Sequence, residues 1–413
     1  MSSSKNNSGC GCVLLLLLLA APGVWAFPRL GRVDIETARN GDFRGVFEQL
    51  RSAPDSSDAS SANTGLTETD PTGTSPVETA LPPDIIQISL PETASGEPPA
   101  VPPSDPTPIM SDAWAQKEFR GIYLSRYQAT NRASEQTIRD RVRYYKQQGI
   151  NTIIHGVWGN GCTMYKSDVM QKTLGYSSCP NQFQDQWLDW LIDEAHQQEM
   201  QVHAYFEKGI KLDKNSPIFE MATAKGWFVP GIDKTYLGID HYLLNVDNQA
   251  VATYFKEISA EFVRRYPAID AVQWDDYVGY HEELGGNADR TAQLTKFMRD
   301  IRAAVKQANP AVSFDVCHHN PYWGKRYFDA DWANWQVDRA FIQVYNDNNF
   351  AVELDYVEQY QGIAISDAQF ERLEALENNP KVKSVLLFPV NGKPEETARR
   401  FGEVLRATQS KQP

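Results

Sequence analysis

The feature that most constrains the fold is an alternation of short apolar runs with amphipathic stretches, which starts at Trp114 and continues to about residue 410. Eight apolar runs are typical of strands: 121–124, 152–158, 202–206, 271–274, 312–316, 340–345, 362–365 and 385–388. Helical patterns separate them at residues 134–148, 184–199, 248–266, 289–308, 367–378 and 394–408, with weaker ones near 325–335 and 350–360. Near-continuous apolar strands suit a parallel sheet that is buried on both faces. Eight strand–helix units in about 300 residues predict a closed (β/α)8 barrel, or TIM barrel.

A doubly wound open sheet is the alternative α/β fold for such an alternation. It would carry a glycine-rich, phosphate-binding turn after a strand, and the sequence has no such turn. We therefore predict the barrel over residues 113–410.

The sequence before the barrel divides into three segments. An apolar run at residues 13–21, followed by small residues at −3 and −1 of a cleavage site after Ala26, predicts a secretory signal peptide over residues 1–26; an uncleaved N-terminal anchor is the alternative. Residues 27–51 form a short segment to which the sequence assigns no role. Residues 52–112 are rich in Ser, Thr, Pro, Asp and Glu, which predicts a disordered linker. We expect a secreted or periplasmic protein with no stable membrane span after cleavage.

Charge and cysteine content argue against several classes of protein. The formal net charge is −13 and no basic stripe is present, so we expect no nucleic-acid partner. Cys162 and Cys179 flank one loop and could pair, whereas Cys317 lies in a strand pattern and is predicted to be a buried thiol. An odd number of cysteines without CxxC spacing argues against a zinc cluster. We expect neither a metal nor a cofactor.

Carboxylates follow two neighbouring predicted strands, where a barrel of this kind builds its active site. Asp275 and Asp276 come directly after the fourth strand, and Glu207 follows the third. Adjacent carboxylates beside a buried strand are costly unless something uses them. Because neighbouring strand residues point to opposite faces, we expect one of the two aspartates to face the barrel mouth. Glycoside hydrolysis needs two such carboxyl groups, one as acid and one as nucleophile or base.

Polar and aromatic residues near the strand ends are the candidate sugar-binding residues. They are Trp158, Asn160, His203, Tyr205, Gln273, Trp274, Tyr277, His318, Asn320, Trp323, Gln343 and Tyr345. The aromatic members suit stacking on sugar rings. His203 lies inside a strand pattern, which also fits a hydrogen-bonded core histidine.

Ordered motifs along the barrel resemble the glycosyl-hydrolase-like family ten, which is common in bacteria. EFRGIYL at 118–124 resembles the family's "(E/L)RGVWL", HAYFE at 203–207 its "VxxWFE", DAVQWDDY at 270–277 its "DGIQFDDY", and IQVYND at 342–347 its "LQVYRD". The resemblance covers about residues 117–366 and implies a TIM barrel with glycosidase activity on bacterial cell-wall glycan or another polysaccharide. The sequence departs from the pattern at Tyr205, where the family has tryptophan, and after the eighth strand, which ends in Phe388-Pro389-Val390-Asn391.

The residue roles follow from the similarity to barrel glycosidases that have a nucleophilic aspartate after the fourth strand. We predict that Asp276 is the nucleophile or base and Glu207 the general acid, with Asp347 as the alternative acid. Asp275 would orient Asp276 or bind a sugar hydroxyl. Two other functions stay open: a carbohydrate-binding barrel without catalysis, and a metal-dependent polysaccharide deacetylase that uses an aspartate of the pair with His318.

Overall fold

The structure is a computed structural model that describes residues 110–125, 130–179, 183–234, 240–281, 284, 288–345, 350–390 and 392–409. The chain divides into two compact units, Met1–Pro83 and Asp84–Pro413, and all described residues lie in the second. The predicted signal peptide, the 27–51 segment and the linker up to residue 109 fall outside the described residues. The predicted linker extends slightly too far, because Ser111 caps a short helix that begins at Asp112.

Eight parallel strands form a closed barrel. They are β1 (Phe119–Leu124), β2 (Thr152–Gly159), β3 (Gln201–Phe206), β4 (Ala271–Trp274), β5 (Ser313–His318), β6 (Arg339–Gln343), β7 (Gly362–Ser366) and β8 (Ser384–Phe388). Each pairs with the next in chain order, and β1 also pairs with β8, with Gly121 opposite Leu386. The eight predicted strands and the TIM barrel are therefore confirmed, and the open-sheet alternative is wrong.

Helices follow the strands around the barrel. They are α1 (Glu135–Gln147), α2 (Trp187–Gln197), α3 (Gln249–Arg265), α4 (Thr291–Ala308), α5 (Pro321–Phe328), α6 (Phe350–Tyr360), α7 (Leu373–Glu377) and α8 (Pro394–Gln409). A 3-10 helix, Asp367–Arg372, precedes α7. Helix α5 begins earlier than the weak pattern near 325–335 predicts, because Asn320 caps it and Pro321 occupies its first turn.

Several shorter elements lie in the segments that follow β2 and β3. Residues Cys162–Thr163 form an antiparallel pair with the end of β2, and Lys211–Leu212 pairs with Tyr242–Leu243 in the segment between β3 and α3. Additional helices lie at Asp168–Leu174 and Phe219–Ala224. A disulfide joins Cys162 to Cys179, with a Cα–Cα distance of 5.3 Å. Cys317 is a free, buried thiol, as the sequence predicts.

The apolar core has two layers because alternate strand residues point to opposite faces. The larger layer lies between the barrel wall and the helices. The smaller one fills the barrel and consists of Phe119, Tyr123, Ile154, Tyr205, Cys317, Phe341, Ala364 and Leu386. Gly121 faces this interior, where an added Cβ would come within 2.5 Å of the Leu386 side chain. In the part of the chain that the structure describes, no helix is long and apolar enough to cross a membrane.

Candidate active site

Asp275 lies at the end of β4 and is held inside the barrel mouth. Its Oδ2 accepts a hydrogen bond from the hydroxyl of Tyr205 on β3, and its Oδ1 accepts the backbone N–H of Tyr277 at 3.0 Å. The side chain is almost completely buried. Two donors on different segments therefore fix the orientation of this carboxyl group.

Asp276 is directed toward the opposite side of the mouth. Its Oδ1 lies 3.4 Å from Nε2 of Gln343 on β6, and its Oδ2 lies 3.6 Å from Nε2 of His319. Gln343 also donates to the backbone carbonyl of Cys317 at 3.2 Å, which anchors the amide. The sequence argument expects only one aspartate of the pair at the mouth. Both lie there, because β4 ends at Trp274 and strand alternation stops before the pair.

Glu207 supplies a third carboxylate, on the segment that follows β3. The hydroxyl of Ser125, just after β1, lies 2.9 and 3.1 Å from its two oxygens. The side chain is half-buried, so it is more open to solvent than either aspartate. The charge of Glu207 contributes to the pKa of Asp275, which places the two groups in one electrostatic site.

The electrostatics of the site favour one proton on the aspartate pair. Burial, and then the charge of Asp276, raise the pKa of the Asp275 carboxyl well above its ordinary value of 3.8, although the bonds from Tyr205 and Tyr277 oppose the rise. Two carboxylates this close do not both ionise readily. Burial and the neighbouring charge therefore favour the protonated form of Asp275 more than they would for an exposed aspartate.

Two tryptophans predicted to bind sugar belong instead to the core between barrel and helices. Trp274 stacks on Phe206 with ring centroids 4.5 Å apart, and Trp158 packs against Phe255 of α3 at 5.1 Å. The indole N–H of Trp158 donates to the carbonyl of Gly209 at 3.0 Å. Both rings are fully buried, so neither offers a face to a substrate.

Three other predicted residues are buried away from the mouth. His203 lies deeper inside the barrel, where its Nε2 is 3.1 Å from Gln201 Oε1, and burial lowers its pKa well below 6.5. Gln273 is also enclosed, and its Oε1 accepts the hydroxyl of Tyr123 at 2.6 Å. His318 points outward and packs against Phe328, and burial lowers its pKa to about 3. These placements are corrections: the residues support the barrel rather than face a sugar.

The two predicted asparagines organise loops at the mouth. Asn320 caps α5 by accepting the Trp323 N–H at 2.9 Å, and it donates to Glu353 at 2.7 Å. Asn160 accepts the backbone N–H of Asp213 at 2.8 Å. Their buried amides already have protein partners, so their predicted sugar contacts have no structural support.

The remaining predicted residues lie around the mouth. Tyr345 is 41% exposed at the end of β6, and half-buried Trp323 has its ring 6.1 Å from that of His319. Half-buried Tyr277 packs edge-on to His241, and the ammonium of Lys211 lies 5.0 Å from its ring centre. Asp347, the alternative acid, lies outside the described residues.

The sequence argument missed Tyr123, Ser125 and His319. His319 stacks on Phe328 at 5.0 Å, and burial lowers its pKa, so the imidazole is uncharged at neutral pH. Its position directly after β5 was the available signal, because the residues that follow the strands lie at the mouth, where His319 comes near Asp276. Neither Ser125 nor Tyr123 carries a comparable signal, since their roles depend on partners on β3 and β4.

Comparisons with known proteins agree with the motifs. The model of the family "Glycosyl hydrolase-like 10" matches residues 118–293, which include Glu207, Asp275 and Asp276. Glycosyl hydrolase DigH from Escherichia coli (strain K12) is 24% identical in an alignment of 308 residues that covers 62% of this chain and 68% of that protein.

Solved structures with a similar course of the chain include two glycosidases. An exo β-N-acetylglucosaminidase from Vibrio harveyi has 9% identity and a TM-score of 0.47, covering 70% of this chain and 54% of its own. An α-galactosidase from Geobacillus stearothermophilus has 13% identity and a TM-score of 0.42, and the match covers 73% of this chain and 44% of the α-galactosidase chain. Strand pairing, and not these distant likenesses, establishes the barrel. The resemblance first indicated by the motifs is thus confirmed, and this chain matches the glycosyl hydrolase-like 10 family over residues 118–293.

Proposed function

We propose that this protein is a glycoside hydrolase in which Asp276 and Glu207 carry the reaction and Asp275 holds Asp276 in its reactive state. The observation that carries the proposal is the convergence of three carboxyl groups from two adjacent strands in the mouth of a TIM barrel. In such barrels the active site lies at this end. The family match supports the same class of reaction.

The proposed mechanism divides the work between the two aspartates. Asp275 keeps a proton because it is buried beside a like charge, and this leaves Asp276 ionised. Asp276 then attacks the anomeric carbon, or takes a proton from the attacking water, while Glu207 protonates the departing glycosidic oxygen. Half-buried Glu207 is in contact with solvent.

The proposed substrate is a polysaccharide outside the cytoplasm, with bacterial cell-wall glycan as the first candidate. The signal-peptide pattern of residues 1–26 supports an exported protein. The family resemblance supports the class of glycan. The exposed aromatic rings around the mouth suit stacking on a sugar chain.

Release of reducing ends from a panel of glycans tests the proposal. Asp276→Asn keeps the size of the side chain and should lower turnover by about 10³-fold. Asp355→Asn, which changes an exposed carboxylate on α6, is the matched control and should leave turnover unchanged. Full turnover by folded Asp276→Asn would remove Asp276 from the mechanism.

The role of Glu207 has a sharper test that uses leaving groups of different basicity. If Glu207 is the acid, Glu207→Gln should slow natural glycans strongly, but it should slow an aryl glycoside of the same sugar much less, because an acidic phenol leaves without protonation. Equal losses on both substrates would instead indicate that Glu207 acts in binding.

The other two functions have less support. The deacetylase needs His318 beside the aspartates, but His318 is buried on the outer face of β5 against Phe328. A carbohydrate-binding barrel without catalysis would use the same mouth. It predicts saturable glycan binding with no product over long incubation.

A further inference from the structure

Exposed apolar side chains are concentrated at one end of the barrel. Among the described residues, six large hydrophobic side chains are exposed: Ile232, Tyr322, Tyr345, Val352, Phe388 and Val390. Each ends a barrel strand or lies within the segment or first helical turn that follows one, which is the mouth side. Contiguous exposed apolar surface marks binding sites in soluble proteins. The mouth is thus the surface that an apolar ligand face would cover.

Two aromatic rings in this set form a platform beside the carboxylates. Tyr345 follows β6 and Phe388 ends β8; their ring centroids are 5.6 Å apart with an angle of 38° between the planes. The two residues are 41% and 37% exposed, and Val390, at 56%, follows Phe388.

A short chain of rings connects the platform to the candidate catalytic carboxyls. The ring of Phe388 lies 6.1 Å from that of Tyr123, which lies 5.2 Å from that of Tyr205. The hydroxyl of Tyr205 donates to Asp275. The platform therefore lies at the same mouth as the aspartate pair and is connected to it by contacting rings.

We propose that Tyr345 and Phe388 form a subsite that stacks on the C–H face of a hexopyranose ring of the glycan substrate. This inference rests on the proposed function and specifies where one sugar ring of the substrate would bind. Aromatic side chains gain more from flat, specific contacts than from burial alone. A substrate ring stacked on the platform explains why these two aromatic side chains stay exposed.

Binding measured in the absence of turnover tests the subsite. In Asp276→Asn protein, calorimetric titration uses chitohexaose, cellohexaose and solubilised cell-wall glycan strands. We expect at least one of the three to bind, and Phe388→Ala or Tyr345→Ala to weaken its binding ~10-fold. Phe388→Trp should preserve binding because it keeps a flat ring, whereas Phe388→Leu should not, although leucine keeps an apolar surface.

The control and the contrary results are specific. Tyr322→Ala removes a 50% exposed aromatic ring on α5, outside the platform, and should not change the affinity. Thermal unfolding identifies any variant that fails to fold; if Phe388→Ala does, Tyr345→Ala carries the test. The subsite is refuted if no probe binds, or if folded platform variants bind as tightly as their parent. Because the titration needs no catalysis, loss of the proposed hydrolase activity alone would not affect the result.

Discussion

Removal of one hydroxyl group, in Tyr205→Phe, tests the electrostatic argument for the aspartate pair. Asp275 has two protein donors, the Tyr205 hydroxyl and the Tyr277 N–H, and the substitution removes one of them while it keeps the ring. Both Tyr205 and Asp275 are buried, so water does not easily replace the lost bond. Loss of such a bond costs about 1 kcal/mol when the acceptor is neutral and about 1.5–3 kcal/mol when it is charged.

The cost should therefore depend on pH, with a definite sign. The folded-state pKa of Asp275 is raised, so its favourable contribution is complete below the unfolded value of about 3.8 and is lost as pH rises through the folded value. The Tyr205 bond lowers that folded pKa. Without it the pKa rises further, and the variant should lose more stability relative to wild type as the pH increases.

Chemical denaturation at several pH values and a pH–rate profile together measure this effect. The limb of the profile that reports Asp275 should move to higher pH in Tyr205→Phe. Tyr123→Phe is the matched control, because its hydroxyl donates to the neutral amide of Gln273 at 2.6 Å. It should cost about 1 kcal/mol at every pH. A destabilisation of Tyr205→Phe that does not vary with pH, or a limb that moves to lower pH, would refute the reasoning.

Two further predictions concern buried charges near the mouth. Lys211→Met should lower the free energy of unfolding, measured by urea denaturation, by about 3–5 kcal/mol. The reason is that the buried Asp233 carboxylate, 2.7 Å from the Lys211 ammonium, loses that cation. The double variant with Asp233→Leu should recover most of the lost stability. Glu353→Gln should make unfolding less sensitive to pH. Burial raises the pKa of Glu353 from 4.5 to about 7, so wild type loses that stabilisation as pH rises through 7, and the variant does not.

Each of these predictions has a contrary outcome. A double variant no more stable than Lys211→Met would show that the ion pair is not what the single substitution disrupts. Parallel stability curves for wild type and Glu353→Gln between pH 4.5 and about 7 would show that the buried carboxyl does not titrate in that range.

The sequence could predict the barrel because its signal is local and repeated. Every strand carries its own apolar run and every helix its own periodicity, and neither depends on distant contacts. Asp275, Asp276 and Glu207 could be found for the same reason, since they directly follow apolar runs and strand ends meet at the mouth. His319 could be found in the same way, since it directly follows β5.

The direction of individual side chains depended on details that only the tertiary structure contains. In β2 the register shifts between Gly156 and Trp158, which turns Trp158 into the outer core instead of the barrel. Strand β4 ends at Trp274, immediately before the two aspartates, so both side chains can reach the mouth.

The geometry of the site also depends on contacts between residues that are far apart in the sequence. Tyr205 meets Asp275 across β3 and β4, and Tyr345 meets Phe388 only because the barrel brings the ends of β6 and β8 together. The sequence thus determined which residues stand at the mouth of a barrel, since that follows from local pattern. Packing across strands determined which carboxyl is buried with a raised pKa and which aromatic rings remain exposed, since burial is a property of the assembled fold.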